Sequence, residues 1–152
     1  MSSKVFRFLP VILLLGYITI KIALYVRAAD TIPAPPHFVP TSAQKMRLIP
    51  VQESLQNHPQ AAANFSNLFT GLSLVVEADQ KILRTTEDVR RTHQNAGALA
   101  VQVGEVPPLP GFTEAVNAFL KSEIGNENTP LDAAKRAQIG EAFRALSWAA
   151  KQ

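Results

Sequence analysis

Histidine is the natural place to look for metal or proton chemistry, and this chain holds three: His37, His58 and His93. None has a histidine or carboxylate three or four residues away, the spacing that brings two ligands onto one helix face. Glu87 and Asp88 precede His93 by six and five residues, which is the wrong register for a shared metal. Met46 with a histidine would make an axial haem pair, but nothing in the sequence fixes its geometry. Nucleophiles fare no better. Ser54, Ser66, Ser73, Ser122 and Ser147 stand in no nucleophile-elbow context, and the seven glycines are too dispersed to form a phosphate loop. Glu77 and Asp79 are two residues apart and point to different helix faces. With no cysteine, the chain has no disulfide, thiolate nucleophile, zinc–thiolate site or covalently attached haem. The expectation is a protein without a catalytic constellation and without a cofactor.

Two features invite a binding role instead. Phe65, Leu72, Asp79, Thr86 and His93 recur at intervals of seven, so an apolar line becomes polar in its second half. Seven residues rise about 10.5 Å, which keeps these polar side chains from sharing one ion or proton. Either the helix rolls out of the core after Leu83, or Asp79, Thr86 and His93 form a polar seam against a partner helix. Trp148 is the second feature. On a helical wheel it lies opposite the Ile139, Phe143, Leu146 and Ala150 stripe, on a face with Glu141 and Arg144. It is either covered by the rest of the fold, stacked on Arg144 one turn earlier, or exposed as an anchor for a protein partner or lipid headgroups. Asn64-Phe65-Ser66 matches a glycosylation acceptor, but Phe65 opens an apolar stripe and the match is discounted.

The elements that must position these residues begin with a leader. Lys4 and Arg7 precede a thirteen-residue stretch, Phe8 to Ile20, with the polarity of a secretory signal. If Lys21 is tolerated, the span runs from Phe8 through Leu13, Leu14, Leu15, Ile18 and Ile20 to Val26, roughly 28 Å as a helix and just enough to cross a hydrocarbon core. Lys21 would snorkel to the interface near Tyr25 and Arg27. A cut after Ala28 is the alternative, with Val26 and Ala28 at the −3 and −1 positions. Lys4 and Arg7 favour an N-inside orientation. Residues 29–42 carry Pro33, Pro35, Pro36 and Pro40 and make an extended spacer.

Residues 43–152 read as an all-α bundle. Pro50 and Pro59 divide the first part into pieces of one or two turns, Ala43–Ile49 and Val51–Asn57. The 3-and-4 spacing of Phe65, Leu68, Phe69, Leu72, Val75, Val76, Ile82 and Leu83 predicts one helix from about Gln60 to His93 or beyond. Asn95–Gly104 fits helix or strand, and Pro107, Pro108, Pro110 and Gly111 form a break. Thr113–Ile124 is amphipathic, with Phe112, Ala115, Val116, Phe119, Leu120 and Ile124 on one stripe, and stops at Gly125. The last helix is expected to open with Thr129 as N-cap, Pro130 first and Asp132 third, and to bury Ile139, Ala142, Phe143, Leu146 and Ala150.

The net charge of +3 is a property of the leader. Four of the fifteen cations lie in residues 1–28 and all twelve carboxylates beyond them, so the body carries eleven cations against twelve anions. A near-neutral body without a basic stretch offers no footprint for nucleic acid. The sequence points to a single-pass, N-terminally anchored protein whose extracytoplasmic bundle works through protein contacts with a partner or a second copy. Its alternative is a cleaved, secreted or periplasmic helical protein that holds a small ligand or cofactor such as haem.

Overall fold

A computed structural model describes residues 37–78 and 81–152. The leader, the spacer as far as Pro36, and Asp79 lie outside the described residues. The described chain forms five helices and no strand: α1 (Ser42–Leu55), α2 (Pro59–Ala78), α3 (Thr86–Val103), α4 (Phe112–Ile124) and α5 (Ala133–Ala150). No helix among the described residues is long and apolar enough to cross a membrane.

α2 and α5 form the central pair. Their contact is close because small residues meet there: Ser66, Gly71 and Ser73 are buried on α2, and Gly140, Ala142, Ala145 and Ser147 on α5. The hydroxyls that this brings inside are satisfied, with Ser147 Oγ 3.1 Å from Ser66 Oγ and 2.8 Å from Thr70 Oγ1. α1 and α4 pack together and against α5, whereas α3 rests chiefly on α2. Of the apolar stripe expected on α4, Phe112, Val116, Phe119, Leu120 and Ile124 are buried and Ala115 is half-buried; on α5, Ile139, Ala142, Phe143, Leu146 and Ala150 are all buried. Gly125, at φ 81°, ends α4 where a side chain would be strained.

Three local expectations are corrected. Pro50 does not divide the first segment; it lies inside α1. Pro50 is exposed on the same side of the helix as Met46 and Ile49, so the hydrogen bond that it removes, to the Met46 carbonyl four residues back, is lost on the solvent side. Gln44, Leu48, Val51 and Leu55 keep the buried side of the helix continuous through the proline. Thr41 starts it with a reciprocal capping box to Gln44.

The long helix from Gln60 to His93 is two helices. α2 ends at Ala78, and α3 begins afresh at Thr86 behind a capping box: Thr85 Oγ1 accepts from the Asp88 N–H (3.2 Å), and the Asp88 carboxylate accepts from the Thr85 N–H (2.9 Å). The buried guanidinium of Arg136 takes up carbonyls at this break, donating to Val76 O (3.1 Å) and Leu83 O (2.6 Å). Ile82 is exposed while Leu83 is buried in the turn, so the apolar spacing continues past the point where the helix stops.

The cap of α5 is Asp132, not Thr129. Asp132 accepts from the Lys135 N–H at 2.7 Å, and the helix starts at Ala133. Thr129 serves α3 instead: its carbonyl accepts from the Thr86 N–H (2.9 Å) and its N–H donates to Thr86 Oγ1 (3.0 Å). The ambiguous segment 95–104 is helix through Val103 and closes at Gly104.

Candidate functional site

α3 leans on α2, and the eight-residue link from Gly104 to Gly111 carries the chain away before α4 begins, leaving a cleft of about 720 Å³ between α2, α3, α4 and that link. The link is shaped by its residues. Gly104 passes so close to its surroundings that a Cβ there would stand 2.8 Å from Ala100 O and 2.9 Å from Asn64 Nδ2. Glu105 then takes a left-handed conformation at φ 48°, and the Val106 N–H returns to Val101 O at 3.1 Å. Pro107 and Pro108 hold the following turn extended, so Val106 and Leu109 form one wall of the cleft.

Phe65 of α2 and Phe112 of α4 meet with ring centroids 4.4 Å apart and line the cleft with Val116. Val101 stands on the α3 side, 42% exposed. The polar contributions are Gln94, Thr113, Asn117 and His93. None of the fourteen lining residues is Asp, Glu, Lys or Arg. Gly97 also lines the cleft from within α3, and a Cβ added to it would meet no atom within 4 Å.

His93 is the titratable group of the site. Its ring joins a cluster with Phe69 and Phe143, at centroid distances of 6.2 and 5.9 Å, those two rings lying 6.5 Å from each other. Burial pushes its pKa down from 6.5 to about 4, so the imidazole is neutral at physiological pH. Nδ1 is buried without a hydrogen-bond partner. Because the ring lines the cleft while Nδ1 is occluded, Nε2 is the nitrogen that a bound molecule can meet.

The structure separates the residues that sequence reasoning grouped. Thr86 has 0% exposure and donates from Oγ1 to Glu127 O at 2.8 Å, a structural role at the start of α3. His93 lies two turns further along, in the cleft, and the helix break removes the common heptad line. Trp148 is half-buried, with a cation over its ring that is Lys45 of α1 at 5.5 Å and not Arg144. Arg144 pairs with Glu77 at 2.5 Å and lies 5.8 Å over the Phe38 ring. Met46 is 73% exposed on α1 and lines no part of the cleft. No cluster of three or more histidines or carboxylates suited to a metal occurs among the described residues. A haem placed in the cleft would find no lining cation for its propionates, and no acceptor on Nδ1 to orient His93.

The cleft itself was missed from sequence. Its one local signal is Gly97, a poor helix former in the interior of α3. Comparison of the chain with protein-family models, curated proteins and solved structures returned no match.

Proposed function

We propose that this chain is a membrane-tethered, non-enzymatic binding module whose helical body stands on the extracytoplasmic side and holds its ligand in the cleft beside His93. The observation that carries the reading is the cleft: it has the volume of a small-molecule site, is mostly apolar, and presents a few polar groups at its edge. Its lining contains one titratable side chain, and no carboxylate or cation works beside it, so binding accounts for the site better than acid–base or nucleophilic chemistry. The tether rests on Phe8–Val26 and on the concentration of cations around it.

Native mass spectrometry of the full chain released from membranes tests the cleft. A bound mass that Gly97→Leu loses supports the reading, and identical spectra for the two proteins would overturn it. Carbonate extraction with N-terminal sequencing tests the tether; a mature start at Ala29 in the soluble fraction would make the protein a secreted one.

A second reading, association with a protein partner or a second copy, has one observation in its favour. Exposed Met46 and Ile49 lie one turn apart on α1, beside the Lys45 that covers Trp148. If that face is an interface, Trp148→Ala weakens association measured by analytical ultracentrifugation or pull-down from membranes. An unchanged result would remove this reading.

A further inference from the structure

The chemistry of the cleft specifies what it can hold, on the reading above that it is a ligand site. We propose that it takes an uncharged, predominantly apolar small molecule with one hydrogen-bonding group, and that this group meets Nε2 of His93. The absence of lining charge comes first. A phosphate, carboxylate or ammonium entering the cleft would leave water without a counter-charge, at a penalty that its apolar contacts could not offset. Phospholipids, fatty acids and amines are therefore poor occupants, although the protein is delivered to a membrane. Neutral His93 adds no charge of its own.

The shape points the same way. Phe65 and Phe112 supply broad apolar faces, and the proline link supplies a stiff wall that loses little freedom when a ligand is bound. Gly97 is the telling residue. Its position is helical, nothing crowds it, and alanine would be the better helix former. The missing side chain enlarges the cleft at the cost of helix stability. His93 supplies the polar contact, since Nε2 has no partner of its own among the described residues and a hydroxyl can satisfy it in either tautomer.

The test uses the full chain in lipid nanodiscs, labelled on histidine nitrogens and valine methyls, and two probes with one skeleton: 1-naphthol, neutral with one hydroxyl, and 1-naphthalenesulfonate, its anionic counterpart. 1-Naphthol should produce saturable shifts at His93 Nε2 and at the Val101, Val106 and Val116 methyls, and the sulfonate should bind at least tenfold more weakly. His93→Phe should weaken naphthol binding by about three- to tenfold, the worth of one hydrogen bond. Gly97→Leu should abolish it, with Val101→Trp as a second obstruction and thermal unfolding as the check that both fold. Saturable shifts with both probes, lost in Gly97→Leu, would leave the cleft a binding site and overturn the proposed selectivity. Shifts indifferent to both obstructing variants, or non-saturable partitioning alone, would overturn the selectivity and the ligand site together.

Discussion

His93 illustrates how one side chain takes its properties from neighbours remote in sequence. Phe69 and Phe143 cluster with its ring, and burial in the fold holds its pKa at about 4. An unfolded chain would take up the same proton near pH 6.5. Between those values the unfolded state binds more protons than the native state, so stability is full above about pH 6.5, falls as the pH drops to about 4, and levels off below. The loss is on the order of 3 kcal/mol. Urea denaturation across that range should show the decline in the natural protein and a shallower one in His93→Phe, which lacks the buried imidazole. Equal slopes would mean that His93 is not buried as described. Gly97 calls for the opposite experiment. Gly97→Ala should raise stability by roughly 0.5–1 kcal/mol, because it favours the helix and meets no obstruction. A loss of stability would show that the space beside it is filled in the native protein.

At the level of elements, the periodicity that revealed the helices also concealed a boundary. Apolar residues recur at helical spacing through Val76 to Leu83, yet Leu83 is buried in a turn while Ile82 is exposed. Periodicity reports which residues seek the core and is blind to a chain that leaves and re-enters it. The signal for the break was local, Thr85-x-x-Asp88, the same pattern that was expected to act at Thr129-x-x-Asp132. Thr85→Ala should therefore cost about 1 kcal/mol. Thr129→Ala should change stability by less than about 0.5 kcal/mol, since the Thr129 hydroxyl has no hydrogen-bond partner and caps nothing. Reversed magnitudes in denaturant melts would put the cap where the sequence placed it. Pro50 is the other element-level lesson: a helix interior accepts proline on its solvent side, with the buried side continuous through it. Pro50→Ala should restore that hydrogen bond and stabilise α1 by roughly 1–3 kcal/mol, less whatever the proline saves by stiffening the unfolded chain. An unchanged or lowered melting temperature would show that the carbonyl is already well satisfied.

At the scale of the whole molecule, the proposed tether at residues 1–28 makes a prediction of its own. Alkaline carbonate should leave the full chain in the membrane pellet and release a version lacking residues 1–28; retention of the shortened chain would mean that the body binds membranes by itself. The sequence alone determined the helical class, the buried face of α5 and most of that of α4, the stop at Gly125, the absence of thiol chemistry, and the confinement of excess positive charge to residues 1–28. Each of these depends on composition or on neighbours within a few turns. The cleft, the neutrality of His93, the service of Thr129 to α3 and the pairing of Lys45 with Trp148 were decided only by the tertiary structure. They depend on where α2 ends and on how the Gly104–Gly111 link spaces α3 from α4, and no local pattern encodes the distance between two helices that pack on different neighbours.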